Sequence, residues 1–126
     1  MAESIARHTA SDVLEVSSAG LYPLGYLPDL TQQTLLRNGY HPAGLSSKPL
    51  RQADLEAVDL VINLTGEPRH SVFKDSFKVE DWPVADPYGE EPAVYQRILE
   101  ELEQRIGRLA DRLRSKRQTI PSKRAD

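Results

Sequence analysis

The stretch Val58-Asp59-Leu60-Val61-Ile62-Asn63-Leu64 is a nearly continuous run of apolar residues, and it is followed by the turn-forming residues Thr65-Gly66-Glu67-Pro68. A strand with one exposed face alternates apolar and polar residues, whereas a parallel strand covered on both faces does not. The stretch therefore predicts a buried parallel strand. Because parallel neighbours are joined by crossover helices, it also predicts an α/β domain built from right-handed βαβ units.

The segments on either side alternate between helix and strand patterns. Helices are predicted at 1–10, 29–38 and 92–114, short helical segments at 53–57 and 68–73, and further strands at 12–18 and 78–83. The fold class expected is therefore α/β, in three layers, with a parallel sheet flanked by helices. In such sheets ligands bind at the carboxyl ends of the strands, so the loops at that edge are where a site is expected.

The composition is typical of a single globular domain. The chain has 126 residues, of which 39% are apolar and 28% charged, and its net charge is −3. This charge gives no general reason to expect a nucleic acid or an anionic membrane as partner. No signal segment opens the sequence, which makes the cytoplasm the expected location. The domain is predicted to span 1–114, and the basic segment 115–126 is predicted to be a flexible tail.

Cysteine is absent from the 126 residues. This excludes disulfides, thiolate metal sites and a thiol nucleophile within them. The three histidines, His8, His41 and His70, lack the spacing of metal ligands, and the acidic pairs 80–81 and 90–91 are interpreted as a solvated rim. We therefore expect no metal and no organic cofactor. Serines such as Ser4, Ser46 and Ser71 are interpreted as helix caps or surface residues.

The loop Asp81-Trp82-Pro83-Val84-Ala85-Asp86-Pro87-Tyr88-Gly89 combines carboxylates, aromatic rings and prolines. Each proline fixes its own φ and biases the residue before it towards an extended conformation, so Asp86 is predicted to point in a defined direction ahead of Tyr88. A carboxylic acid held in this way is a candidate general acid. The alternative is that Asp-Pro-Tyr-Gly is only the turn before the long C-terminal helix.

Several segments together resemble the low-molecular-weight protein-tyrosine-phosphatase family, in the family's order and at its spacing. They are Met1-Ala2-Glu3-Ser4-Ile5-Ala6-Arg7, Ser18-Ala19-Gly20, Ser47-Lys48-Pro49-Leu50, the strand 59–64, and Asp86-Pro87-Tyr88-Gly89 with Tyr95 downstream. The resemblance extends from Met1 to about Leu113. The combination is much more specific than Asp-Pro alone.

The resemblance implies hydrolysis of a phosphomonoester in two steps. In the family, a Cys-x5-Arg loop holds the phosphate at a helix N-terminus, where backbone N–H groups and the helix dipole favour an anion and lower the thiol pKa. The thiolate attacks phosphorus while the Asp-Pro acid protonates the leaving oxygen. By motif position that acid is Asp86, Tyr88 flanks the substrate ring, and Ser18 supports the phosphate loop. Tyr22 and Tyr88 are compatible with two aromatic walls around a planar phosphorylated group, and the alternative for each, favoured for Tyr22, is a packing residue. At Leu45 some members carry a supporting histidine.

The sequence departs from the family in one respect. It opens at the Met that follows the phosphate loop, so the first, central strand, the Cys and the Arg are not among these residues. We therefore expect the chain as written to be inactive, because losing the nucleophile lowers turnover by roughly 10⁶-fold. We also expect a gap inside the sheet, and instability or self-association as its consequence.

Three functions remain open on this basis. The first is a phosphatase whose full product carries the missing loop, acting on a phosphorylated protein or a small phosphomonoester. The second is an arsenate-reductase-type enzyme, which would need further redox cysteines. The third is a catalytically inactive binding or interaction module. Substrate preference between phosphotyrosine and phosphoarginine is not resolved by these residues.

Overall fold

The computed structural model describes residues 1–20, 28–42, 48–51, 55–68, 73 and 78–125, with side chains described up to Lys116. The elements are helix α1 (Ala2–Thr9), helix α2 (Asp29–Arg37), strand β1 (Val61–Asn63), strand β2 (Val79–Asp81) and helix α3 (Pro92–Ala125). No helix within the described residues is both long enough and apolar enough to cross a membrane.

The two strands form a parallel pair with Val61 opposite Val79 and Asn63 opposite Asp81. This confirms the α/β class and the parallel pairing predicted from the apolar run at 58–64. Gly20 forms a separate parallel bridge with Pro49, in which the Gly20 N–H donates to the Lys48 carbonyl at 2.8 Å. Both strands are shorter than their sequence patterns, because the backbone ladder extends over only three residues on each side.

The strand predicted at 12–18 is not formed in the structure. Residues 11–13 make a turn at the end of α1, in which the Leu14 N–H donates to the Ala10 carbonyl at 2.9 Å. A strand is defined by its hydrogen-bonded neighbour, and in the described part of the chain no backbone hydrogen bond joins 15–19 to another segment. The apolar side chains of Leu14 and Val16 still pack against the core.

The helix predictions at 1–10 and 29–38 are confirmed. Helix α2 ends where Asn38-Gly39 predicted, since Gly39 adopts a φ of +84° and the Tyr40 N–H returns to the Leu35 carbonyl at 2.9 Å. Helix α3 begins at Pro92 as predicted, but its backbone continues past Arg114 to Ala125. The flexibility of the tail stays a prediction. The short helices predicted at 53–57 and 68–73 lie partly outside the described residues, and only 55–56 show a helical turn.

The core forms between α3 and the elements that pack on its apolar face. That face carries Ile98, Leu99, Leu102, Ile106 and Leu109, which cluster with Ile5 and Ala6 of α1, Leu35 of α2, and Tyr40 and Trp82. These positions recur at three- and four-residue intervals, so one stripe of the helix is buried against its neighbours. Burial of this apolar stripe is the main reason that α1 and α2 keep their places.

Polar contacts fix the orientation of these helices. The Arg114 guanidinium bonds both carboxylate oxygens of Asp12 at 2.9 Å and the Thr9 carbonyl at 3.0 Å, which attaches α3 to the end of α1. The Tyr40 hydroxyl donates to Glu103, and its ring meets the edge of His8. Burial and the Glu103 carboxylate together raise the pKa of Tyr40 to about 12.

Candidate active site

The candidate site lies where the N-terminus of α1 meets the loop that follows β2. The Met1 amino group, at the start of α1, interacts electrostatically with the carboxylates of Glu3 and Asp86. Burial lowers the pKa of this amino group, and the two carboxylates oppose that shift. No side chain caps the helix by a hydrogen bond at Met1. The first turn of α1 therefore presents N–H groups and a positive dipole end beside Asp86.

Asp86 begins a tight turn that leaves its carboxylate in solvent. The carboxylate accepts the Tyr88 N–H at 3.0 Å, and the Glu90 N–H donates to the Pro87 carbonyl at 2.9 Å. Gly89 closes the turn with a φ of +84°. The turn interpretation of Asp-Pro-Tyr-Gly is thus correct as a description of the backbone. It is compatible with an acid role, because the side chain of Asp86 stays exposed.

The two tyrosines of this region have opposite environments. Tyr88 is 56% exposed, so its ring is a free aromatic surface in the turn that Asp86 begins. Tyr95, on the first turn of α3, is only 2% exposed. Burial raises the pKa of Tyr95; a backbone hydrogen bond from Gly89 lowers it, and the charges of Asp86 and Tyr88 add to the rise. Tyr95 therefore supports the turn from inside the protein.

Ser18 lies beside α1, although the strand expected to carry it is absent. Its hydroxyl donates to one oxygen of Glu3 at 2.5 Å, and the other oxygen pairs with Arg7 at 2.5 Å. The Arg7 guanidinium also reaches the Val16 carbonyl at 3.4 Å. The buried Glu3 carboxylate thus ties the segment 16–18 to the first turn of α1. The (i, i+4) spacing of Glu3 and Arg7 was the sequence signal for this pairing.

Asn63, at the end of β1, was not identified from the sequence. Its amide is 4% exposed and donates to the Glu67 carbonyl and to the Asp81 carboxylate, both at 2.9 Å. Its carbonyl oxygen accepts the Thr65 N–H and the Thr65 hydroxyl. The one signal available was a polar residue inside an apolar strand, since a buried amide must be fully hydrogen-bonded. Asn63 holds the carboxyl ends of β1 and β2 together.

Two other sequence expectations are not described by the structure. Tyr22, predicted to flank the substrate, and Leu45 both lie outside the described residues. Within the described part of the chain, no group of three or more His, Asp and Glu side chains could hold a metal ion. The expectation that no cofactor is used stays a prediction.

Comparison with known proteins places this geometry in a family. The model of the low molecular weight phosphotyrosine protein phosphatases matches residues 1–119. A low molecular weight protein tyrosine phosphatase from T. tengcongensis is similar in structure, with 25% sequence identity and a TM-score of 0.79, covering 89% of this chain and 88% of that chain. No curated protein sequence matches.

Two further solved structures share the fold. YwlE arginine phosphatase from Geobacillus stearothermophilus has 22% identity and a TM-score of 0.81, over 94% of this chain and 86% of that one. An arsenate reductase in the reduced state has 22% identity and a TM-score of 0.72, over 89% and 86%. Because the family model matches residues 1–119, the chain belongs to the low molecular weight phosphotyrosine protein phosphatase family.

Proposed function

We propose that this chain supplies the acid side of a phosphomonoester hydrolase, with Asp86 as the general acid that protonates the leaving oxygen. The observations that carry the proposal are the exposed Asp86 carboxylate, which the Tyr88 N–H orients at 3.0 Å, and its position within electrostatic range of the start of α1. A helix N-terminus binds an anion such as a phosphate through its free N–H groups. An acid next to that position is placed to donate a proton to the ester oxygen as the P–O bond breaks.

The neighbours of Asp86 have supporting roles in this proposal. Tyr88 offers an exposed ring to an aromatic or planar phosphorylated group, because flat rings stack on such surfaces. Ser18 acts through Glu3, which holds the segment 16–18 against the first turn of α1. Tyr22 is proposed as a second aromatic wall on the basis of its residue type alone, and the alternative is a packing residue. The substrates proposed are a phosphorylated protein or a small phosphomonoester.

The nucleophile is not among these 126 residues. The family resemblance implies a cysteine thiolate, and the sequence contains no cysteine. We propose that residues 1–126 alone do not hydrolyse phosphomonoesters, and that the acid functions only when a thiolate and its phosphate loop are supplied by additional residues. The cytoplasmic location and the tendency to self-associate, through backbone groups that lack a strand partner, stay predictions.

The test is the hydrolysis of aryl phosphates by the protein purified from its own gene, with its intact mass measured on the same sample. Asp86→Asn is compared with Glu90→Gln, which removes an exposed carboxylate from the same turn. We expect Asp86→Asn to lower kcat by roughly 10²- to 10⁴-fold and Glu90→Gln to leave it within about twofold. The loss should be larger for phenyl phosphate than for p-nitrophenyl phosphate, because the poorer leaving group needs the proton more.

Equal losses in the two variants, or equal losses with the two substrates, would show that Asp86 is not the acid. The same preparation tests the nucleophile. Activity in a protein whose mass is that of Met1–Asp126 would contradict the requirement for a thiolate from elsewhere. A heavier species that is active and inhibited by thiol alkylation would support it.

A catalytically inactive binding module is the second candidate, and the observation that favours it is the lack of cysteine. An endogenous mass equal to that of Met1–Asp126 without activity would mean that the function must be sought in binding. Arsenate reduction is the weakest alternative, because it needs redox cysteines that these residues do not contain.

A further inference from the structure

An open groove of about 330 Å³ lies between the end of β2 and the middle of α3. It is lined by Glu80, Trp82, Arg105, Arg108, Leu109 and Arg112. Three of the six residues are arginines and one is acidic, so the groove is positive on a chain whose net charge is −3. Trp82 and Leu109 are almost completely buried and form its apolar floor.

The arginines are only partly neutralised by the protein. The Arg112 Nη2 atom contacts one carboxylate oxygen of Glu80 at 2.7 Å. The other oxygen of Glu80 accepts the Trp82 indole N–H at 3.1 Å. Arg105 lies 6.0 Å from the Trp82 ring and makes a longer contact, 3.4 Å, with Glu101. Among the described side chains, Arg108 has no ion-pair partner, and it is exposed. Because each guanidinium has five N–H donors, most donors of the groove stay free.

The spacing of the arginines selects among anions. Arg105, Arg108 and Arg112 lie on one face of α3, at (i, i+3, i+7), so they extend along roughly 10 Å of helix. A small anion such as phosphate would need all three long side chains to converge on one point, whereas a longer polyanion can meet each of them where it lies along the helix. In an extended peptide, side chains two residues apart lie on the same side and are about 6.5 to 7 Å apart. Two or three carboxylates along such a peptide match the row of arginines.

We propose that this groove binds an extended acidic peptide segment of a protein partner, with carboxylates on the arginines and the backbone over Trp82 and Leu109. Glu80 orients Arg112 and holds the Trp82 indole, so it defines the end of the groove. The groove is independent of the Asp86 chemistry, because none of its lining residues takes part in the proposed reaction. Its occupancy is therefore testable whether or not the protein is active.

Trp82 is the only tryptophan in the chain and reports directly on the groove. The experiment titrates the full chain with a hexaglutamate peptide, a hexaglutamine peptide and inorganic phosphate while tryptophan fluorescence is recorded. We expect a saturable change with hexaglutamate alone. Arg108→Gln should weaken hexaglutamate binding by about fivefold, the effect of losing one partly exposed ion pair. Arg97→Gln, on α3 but outside the groove, should leave the affinity unchanged.

Three outcomes would overturn the proposal. The first is no fluorescence change with hexaglutamate. The second is an equal change with phosphate, which would indicate a site for single anions. The third is an equal weakening by Arg108→Gln and Arg97→Gln, which would indicate unspecific attraction to the helix. Because Arg108 is exposed and has no ion-pair partner among the described side chains, its substitution is expected to preserve the fold, and circular dichroism checks this on the same samples.

Discussion

The loops that follow the two paired strands use their polar groups in opposite ways. After β1, the Asn63 loop (63–67) is held by the buried Asn63 amide, which makes four hydrogen bonds at 2.7 to 3.1 Å. After β2, the Asp86 loop (86–91) keeps its carboxylate and the Tyr88 ring in solvent. The same edge of the sheet therefore carries a buried, hydrogen-bonded amide at Asn63 and an exposed carboxylate at Asp86. A catalytic group must remain available to a substrate, whereas the frame around it must not move.

The largest expected effect is on the buried side of this comparison. Asn63→Ala should lower the free energy of unfolding by roughly 2 to 3 kcal/mol, because the buried side chain and its four hydrogen bonds are lost together and a cavity remains. Urea unfolding measures it. Thr65→Ala is the matched control, since Thr65 is exposed and water can replace its hydroxyl. Equal destabilisation by the two variants would contradict the role of Asn63 in holding the ends of β1 and β2 together.

The backbone of both loops gives the second prediction. Gly66 and Gly89 have φ values of +81° and +84°, and an added Cβ would meet no atom within 4 Å at either position. Alanine should therefore lower stability by roughly 1 to 2 kcal/mol at each site, through backbone strain alone. Gly107→Ala is the control, because Gly107 lies inside helix α3, where alanine should raise stability by roughly 0.5 to 1 kcal/mol. Thermal unfolding of the three variants separates strain from a loss of packing.

The third prediction concerns the support beneath the Asp86 loop. Tyr95→Phe should lower stability at neutral pH by about 1 kcal/mol, since the Gly89 N–H loses its partner. The pKa of Tyr95 is raised in the folded protein, so its contribution is constant below the ordinary tyrosine pKa, near 10, and is lost as the pH rises above it.

Urea unfolding at neutral and at alkaline pH tests this dependence. The contribution of Tyr40 to the free energy of unfolding is also lost at alkaline pH, between the ordinary tyrosine pKa and about 12. This loss occurs both in the original protein and in the Tyr95→Phe variant. The phenylalanine variant should therefore show a smaller alkaline loss than the original protein, not none. Identical alkaline losses would mean that the Tyr95 hydroxyl has the same environment in the folded and unfolded chain.

The smallest effect is expected at Asp86 itself. Asp86→Asn keeps an oxygen that can accept the Tyr88 N–H, and the residue is exposed, so the free energy of unfolding should change by less than about 0.5 kcal/mol. Urea unfolding of Asp86→Asn and Asn63→Ala, measured side by side, compares the stability contributions of the two loops most directly. A loss at Asp86 as large as that at Asn63 would make Asp86 a structural residue.

The sequence predicted the α/β class, the parallel pairing and the helices at 1–10 and 29–38 correctly, because these depend on local apolar periodicity and on stop signals such as Asn38-Gly39. It did not predict that 12–18 would lack a strand. The apolar residues of that segment are present and packed, but a strand also needs a hydrogen-bonded neighbour. The sequence pattern also predicted that the last helix ends at Arg114, whereas its backbone continues to Ala125, since helical backbone can continue where the apolar stripe ends.

For the candidate site, motifs in the sequence select Asp86, Tyr88 and Ser18 as candidates, because the types and order of the residues carry that information, and their roles stay predictions. The roles of Asn63, Glu3 and Tyr95 needed the structure. Their partners are distant in the sequence or are backbone groups of another segment, such as Asp81 for Asn63 and Ser18 for Glu3. Nothing local to a residue encodes such a contact.

By itself, then, the sequence determined the class of the fold, the lack of a thiol within these residues and the choice of Asp86 as the candidate acid. Only the tertiary structure decided which polar groups are buried and paired. It brings Tyr40 to Glu103 and Arg114 to Asp12, and it places three arginines of α3 beside Trp82. The physical reason is that periodicity and turn chemistry act over a few residues, whereas burial and charge pairing depend on which distant segments pack together.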